Sequence, residues 1–211
     1  ESLCMMLVDK GADLNAKSKD GATALMLSAQ EGGESVAVML IEKGADVNAT
    51  NKKGSTALMV SASFGHESVG LMLLEHGADA NSKSKEEETA LMLSAENGLD
   101  RLAVKLIEKG ADVEAKDQNR STALIFSALG SQESVGLLLL EQGADANAQN
   151  KDGNTALIVS AEKGLDRLAV KLIEKGADVE AKDKFGSTAL MCSALEAHES
   201  VGLLLLEHGA D

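Results

Sequence analysis

The sequence predicts an all-α solenoid in which helix-turn-helix units, each with a projecting turn, stack in a row. Two repeated markers carry this prediction. Gly-Ala-Asp begins at residues 11, 44, 77, 110, 143, 176 and 209, and Thr-Ala-Leu begins at residues 23, 56, 89, 122, 155 and 188. Both series have one interval, 33 residues, as from Gly11 to Gly44. Because a unit this short cannot bury its own apolar face, neighbouring units must stack to share a continuous core.

The unit that begins at Lys19 shows how each element is specified. Lys19 to Gly21 has turn chemistry, and Thr23 can cap a first helix that we expect from Ala24 to about Gln30. A pair of glycines then stops this helix, and Glu34 to Lys43 predicts a second helix with apolar residues on one face. Gly44 provides the second stop. The remaining residues lead out to the next turn, so successive turns should line up as a strip.

The markers divide residues 1–211 into a single domain, with a half repeat at 1–18 and repeats that start near 19, 52, 85, 118, 151 and 184. A longer period of 66 residues overlies the first, since Gly98 to Asp117 recurs unchanged as Gly164 to Asp183. The chain starts and stops on a predicted second helix, and neither end has the polar capping repeat usual in solenoids. We interpret the chain as a fragment, with end-to-end self-association as the alternative.

The repeat carries a family resemblance. Its pattern is Asp-x-x-Gly-x-Thr-x-Leu, a Gly break, a Leu-rich second helix and Gly-Ala-Asp-x-Asn-Ala, and residues 151–183 follow it at nearly every framework position. This pattern resembles the ankyrin repeat over the whole chain. The family typically has Thr-Pro-Leu-His where this chain has Thr-Ala-Leu-Met or Thr-Ala-Leu-Ile. The resemblance implies an ankyrin fold and a protein-protein interaction scaffold.

Composition excludes several classes of partner. The formal net charge is −14 and the pI about 4.7, which disfavours binding to nucleic acid or to an anionic membrane. No apolar run is long enough for a spanning helix. Cys4 and Cys192 lie at opposite ends of an extended stack, so we expect free thiols and a reducing compartment. We therefore expect a soluble, intracellular, cytoplasmic protein.

The sequence gives no support for catalysis, a cofactor or a metal site. A catalytic constellation needs different residue types that converge, whereas this chain repeats one motif. The four histidines occupy helix-end positions without metal-ligand spacing, and we expect helix-end hydrogen bonds from them: His66, His76, His198 and His208. The eight methionines are interpreted as packing residues.

The resemblance places partner binding on the turn tips and the inner face of the first helices. The candidate tip residues are Lys19, Asp20, Lys52, Lys53, Lys85, Glu86, Asn119, Arg120, Lys151, Asp152, Lys184 and Phe185. These tips place several cations on an otherwise acidic body, so an anionic partner segment is one interpretation. Simple solvation of exposed turns by Lys is the other.

Large apolar residues stand near the ends of three first helices, where a solvated residue is expected: Phe64, Leu129 and Leu195. One interpretation makes them binding anchors, since exposed large apolar residues are frequent at interfaces. The other is that isolated apolar residues on a surface are ordinary.

The second helices carry a further row of apolar residues, the ridge, formed by Val38, Leu71, Val104, Leu137, Val170 and Leu203. A partly exposed ridge would favour either a helical partner or lateral self-association, the latter as in a self-assembling structural protein. We favour the alternative that small neighbours such as Ala37 and Gly70 let the helix rotate and bury the ridge. The regularity of the repeats is also typical of an engineered scaffold without a natural partner.

Overall fold

A computed structural model describes residues 11–211, in which all regular structure is helical. Cys4 and the predicted second helix at the start of the half repeat lie outside the described residues. The helices are α1 (Ala24–Gln30), α2 (Glu34–Glu42), α3 (Ala57–Ser63), α4 (Glu67–Glu75), α5 (Ala90–Glu96), α6 (Asp100–Glu108), α7 (Ala123–Leu129), α8 (Glu133–Glu141), α9 (Ala156–Lys163), α10 (Asp166–Glu174), α11 (Ala189–Leu195) and α12 (Glu199–Glu207). The prediction for the first full repeat is confirmed, except that α2 ends at Glu42 rather than Lys43.

The chain forms two compact units. The first contains the described residues up to Ser94 together with Arg101–Ala111, and the second contains Ala95–Asp100 and Asp112–Asp211. In the first unit α1 packs on α3 and α2 on α4. In the second unit α7, α9 and α11 pack in sequence order, and so do α8, α10 and α12. Within each unit, first helices therefore form one layer and second helices another, as the repeat period predicts.

The Thr of each Thr-Ala-Leu caps its first helix. The Thr23 hydroxyl accepts a hydrogen bond from the Met26 backbone N–H at 3.4 Å. The same bond forms at Thr56, Thr89, Thr155 and Thr188. Thr122 differs, because its hydroxyl is buried and has no hydrogen-bond partner in the described part of the chain. Helix α7 therefore begins without the side-chain cap that its sequence predicts.

The first helices share a buried alanine position. The residue four positions after the Leu of Thr-Ala-Leu is fully buried in five successive repeats: Ala29, Ala62, Ala95, Ala128 and Ala161. The Leu itself is also buried in those repeats, for example Leu58 and Leu157. A small side chain at the alanine position lets the neighbouring helix lie close. The larger leucine side chain fills the space beside the alanine.

The Asn of Gly-Ala-Asp-x-Asn links successive repeats through both ends of its amide. Asn147 accepts a hydrogen bond from the Asp178 N–H at 2.8 Å and donates one to the Gly176 carbonyl at 2.9 Å. Glu114 occupies the same position one repeat earlier and accepts from the Asp145 N–H at 2.9 Å. A carboxylate has no N–H to donate, so the Glu keeps one of the two bonds.

The ridge on the second helices is not buried. The interpretation that small neighbours let these helices rotate and bury it is therefore wrong. Val104, Val170 and Leu203 are exposed by 40%, 41% and 54%, and the other three ridge residues are half-buried. The small neighbours have a different role. A Cβ added at Gly70 would lie 2.6 Å from a methyl carbon of Leu102, so Gly70 admits the next second helix. The Leu102 side chain of the next second helix fills the space beside Gly70, so this space does not allow α4 to rotate.

Four of the methionines confirm the packing prediction. Met26, Met59, Met72 and Met92 are buried and Met39 is half-buried. The prediction is wrong for Met191, which is 56% exposed. Met191 lies in α11, and among the described residues no later first helix packs on α11. The remaining two, Met5 and Met6, lie outside the described residues.

Candidate functional site

The projecting turns of the first unit are joined to one another by backbone hydrogen bonds. The Lys52 N–H donates to the Asp20 carbonyl at 2.9 Å, and the Lys85 N–H donates to the Lys53 carbonyl at 2.8 Å. These bonds hold successive tips side by side. The predicted strip of tips is therefore present in this unit.

The tips of the second unit are joined in the same way. The Lys151 N–H donates to the Asn119 carbonyl and the Lys184 N–H to the Asp152 carbonyl, both at 2.7 Å. The twelve candidate tip residues of the two units are all exposed. Their side chains can therefore meet a partner without rearrangement of the turns.

Two tips have a left-handed residue that is not glycine. Glu87 and Arg120 have φ angles of 62° and 63°, where the other four turns have glycine. Both residues carry a Cβ, which makes this backbone conformation unfavourable. The repeat sets the backbone conformation at this position, because the same turn geometry recurs with and without a glycine there.

A cavity in the first unit brings a candidate anchor and a candidate tip cation together. The cavity has a volume of about 320 Å³, and Phe64 and Lys53 both line it. Phe64 is the C-cap residue that follows α3 and is 55% exposed. The cavity therefore lies between the tips and the ends of the first helices, where the resemblance places partner contacts.

Sequence reasoning missed the other apolar residues of this cavity. Met59, Val60 and Leu93 also line it. The signal for Val60 and Leu93 is their position, the second residue after the Leu of Thr-Ala-Leu, which is Leu, Val, Phe or Cys in every full repeat. Burial at this position varies, since Leu27 is 51% exposed and Phe126 only 9%. Whether the residue at this position contributes to a binding surface thus depends on the side chains that pack around it.

In the second unit, one tip cation is already engaged. The Lys184 ammonium lies 2.9 Å from a carboxylate oxygen of Asp152 and 5.0 Å from the centre of the Phe185 ring. Phe185 itself is 80% exposed. This tip therefore offers an aromatic ring with a cation on one face, and the second face is open to a partner.

Leu129 and Leu195 end α7 and α11. Both are exposed, and Leu195 more so, at 82%. Helix α9 packs against both helices, so the two leucines belong to one row of helix ends, two repeats apart. The structure brings Phe64 into a cavity but places these two leucines on an open surface.

The histidines confirm the expected helix-end role. His66 Nε2 lies 2.9 Å from the Gln30 carbonyl oxygen, and His198 Nε2 lies 3.1 Å from that of Glu162. Each ring thus connects the start of a second helix to the end of the first helix in the preceding repeat. Within residues 11–211, no group of His, Cys, Asp and Glu has the arrangement of a metal site.

Cys192 is a free, half-buried thiol. Burial raises the pKa of this thiol above its usual value, and the carboxylates of Asp183, Glu162 and Glu196 raise it further. A raised pKa disfavours the thiolate, which is the reactive form. The thiol therefore lacks the electropositive surroundings of a nucleophile.

Among the helices described, none is long and apolar enough to cross a membrane. A family model of ankyrin repeats matches the chain in three copies, over residues 1–84, 71–150 and 133–211. No curated protein matches the chain. The family match covers all of the candidate tips and anchors.

Proposed function

The chain belongs to the ankyrin repeat family, whose repeats generally mediate protein-protein interaction, and we propose that this member is a non-catalytic scaffold. Its partner is a protein with an extended segment that lies along the turn tips and the first helices. The family relationship supports the class of function, and the geometry of the first unit supports the choice of surface.

One observation carries the choice of surface, the cavity that Phe64 and Lys53 share. The cavity combines an aromatic side chain and apolar walls from Val60 and Leu93 with two charged lining residues, Lys53 and Glu88. Binding sites usually combine an apolar anchor with a few polar groups that fix orientation. Phe64 supplies the anchor and Lys53 the polar group.

The tips favour an anionic partner segment. Lys19, Lys52 and Lys53 are exposed on adjacent turns of the first unit, while the chain as a whole is acidic. A segment with one or two carboxylates near an apolar side chain would place that side chain against Phe64. Its carboxylates would meet the lysines, and the body of the protein would repel acidic segments elsewhere on the surface.

The experiment compares two triple variants of the full chain as baits in a native lysate. The first carries Phe64→Ser, Leu129→Ser and Leu195→Ser. The matched control carries Leu71→Ser, Val104→Ser and Val170→Ser, which removes ridge residues on the second helices. We expect the control to recover the same partners as the unmodified chain and the first variant to lose them. Equal recovery by both variants would reject the proposed surface.

A charge test separates the contribution of the tips. Lys52→Glu with Lys53→Glu should weaken partner binding at least ten-fold at low salt. Lys109→Glu with Lys175→Glu, at the ends of second helices, makes the same change in net charge and should have little effect. If both pairs weaken binding equally, net charge rather than the tips attracts the partner.

The exposed ridge supports one alternative, a self-assembling structural protein. Val104, Val170 and Leu203 are exposed at equivalent positions of their helices. Lateral contact between ridges would remove this apolar area from water. Light scattering at rising concentration separates the two functions. A constant mass of about 21.8 kDa is expected for a binding scaffold, and growing particles for an assembling protein.

A further inference from the structure

The last helix pair presents a face that carries no repeat in the described chain. A cavity of about 380 Å³ opens there, lined by Leu190, Gly202, Leu203 and Leu206 among others. Leu203 and Leu206 are each 54% exposed. Helix α12 has the same nine residues as α8, Glu-Ser-Val-Gly-Leu-Leu-Leu-Leu-Glu, and α4 differs from them at one position only. The structure therefore contains covered copies of this open face.

In the first unit, the α4 copy is covered by α6, which begins Asp-Arg-Leu. A carboxylate oxygen of Glu67 accepts hydrogen bonds from the backbone N–H groups of Arg101 and Leu102, at 2.8 and 3.2 Å. Glu67 thus caps a helix of the next repeat. The Leu102 side chain is fully buried and lies against Gly70, where an added Cβ would come within 2.6 Å of it.

In the second unit, the α8 copy is covered by α10 in the same way. Glu133 accepts from the N–H groups of Arg167 and Leu168, at 3.0 and 3.4 Å. A Cβ added at Gly136 would lie 2.8 Å from a methyl carbon of Leu168. Both copies thus bind an Asp-Arg-Leu helix through a carboxylate for its N-terminus and a glycine socket for its Leu.

The other second helices have a different and complementary pair. Where α2 meets α4, Ala37 stands at the socket position and Val69 at the position of the inserted residue, and both are fully buried. Where α10 meets α12, the corresponding pair is Ala169 and Val201. Within each unit, glycine therefore faces leucine and alanine faces valine. The size of one residue predicts the size of its partner.

Helix α12 has the glycine at the socket position, but in the described chain no leucine of another helix lies against it. Glu199 is exposed, and a Cβ at Gly202 would meet only the side chain of Ser193 within 4 Å. We propose that this face is a docking site for a helix-turn-helix repeat whose second helix begins Asp-Arg-Leu. Glu199 accepts the N–H groups of the incoming Arg and Leu, and the Leu enters the space beside Gly202. The negative charge of Glu199 also complements the positive end of the helix dipole and the incoming Arg.

The test adds one repeat directly after Asp211 of the full chain. One extension has the sequence of residues 146–178, with an Asp-Arg-Leu second helix. The control has the sequence of 113–145, with a Glu-Ser-Val second helix. Both continue the register, because Asp211 is equivalent to the residues before each segment, and both add 33 residues. Hydrogen exchange of the α12 amides reports docking on this face in particular.

We expect the Asp-Arg-Leu extension to slow exchange of the α12 amides at least ten-fold more than the control extension does. In chains with Gly202→Ala, this order should reverse, since alanine at this position faces valine elsewhere in the protein. The substitution is compatible with the fold because Ala169 occupies the same place in α10.

Three results would overturn the proposal. Equal protection of α12 by both extensions would mean that the face does not distinguish the two kinds of repeat. An order unchanged by Gly202→Ala would remove the glycine socket from the explanation. Protection of α12 that rises with protein concentration in the unextended chain would assign the face to a second copy of the protein instead.

Discussion

Ser131 occupies a backbone conformation that glycine holds in four other repeats. Its φ is 58°, and the equivalent residues Gly32, Gly65, Gly98 and Gly164 have φ between 68° and 78°. The residue follows α7, where the chain turns toward α8. Ser131 is exposed, so its side chain contributes little burial to set against this strain. We therefore expect Ser131→Gly to stabilise the protein.

The size of the effect is the difference between two terms. A residue with a Cβ in the left-handed region costs about 1–2 kcal/mol relative to the right-handed one. Glycine removes this cost but gives the unfolded chain more freedom, which costs about 0.5–1 kcal/mol. From the middle of each range, the net gain is about 0.75 kcal/mol. With a urea dependence of about 2–3 kcal/mol per molar, the midpoint should rise by about 0.3 M.

Far-UV circular dichroism is the suitable signal, because the chain has no Trp or Tyr for fluorescence. The matched control is Gly65→Ser, the reverse change at an equivalent position. A Cβ at Gly65 meets nothing within 4 Å, so this variant introduces the backbone cost without a clash. The two midpoints should move by similar amounts in opposite directions. A lower midpoint for Ser131→Gly, or no change for Gly65→Ser, would contradict a backbone cost at this position.

Three further changes test other parts of the structure. Glu114→Asn restores an amide that can donate to the Gly143 carbonyl, and should stabilise the protein by about 0.5 kcal/mol in urea unfolding. The Ser160 hydroxyl is buried without a hydrogen-bond partner in the described residues. Ser160→Ala should therefore raise the free energy of unfolding by about 1 kcal/mol. The control Ser127→Ala removes a hydroxyl that does form a hydrogen bond, and should not stabilise the protein. Because the pKa of the Cys192 thiol is raised, its alkylation at pH 8 should be slower in the folded protein than in urea. Mass spectrometry measures the two rates in a variant in which the other cysteine is replaced by Ser. Equal rates would contradict the raised pKa.

The helices could be predicted closely because their limits depend on local chemistry. Thr23 offers its hydroxyl to an N–H three residues away, and Gly44 provides a left-handed backbone at a φ of 98°. Neither effect needs a neighbouring repeat. Thr122 is the exception, since it has the same local sequence but does not form the cap.

The candidate site could be predicted only in part. The exposure of Phe64 and the alignment of the tips follow from the position of each residue in the repeat. The cavity does not, because it depends on how Val60 and Leu93 of successive first helices lie beside the tip that carries Lys53. Sequence reasoning about the ridge failed for a related reason. It treated Gly70 as part of one helix, whereas its role is set by Leu102 of the next repeat.

By itself, the sequence determined the repeat length, the helices and the order in which they stack, since each of these follows from periodicity and local capping. The contacts between residues of different repeats became evident only from the packed helices. Glu67 caps a helix 34 residues further along the chain, and Gly136 meets Leu168 of the next repeat. Such contacts depend on the distance between two helices, and that distance is fixed by the packing of all the side chains between them.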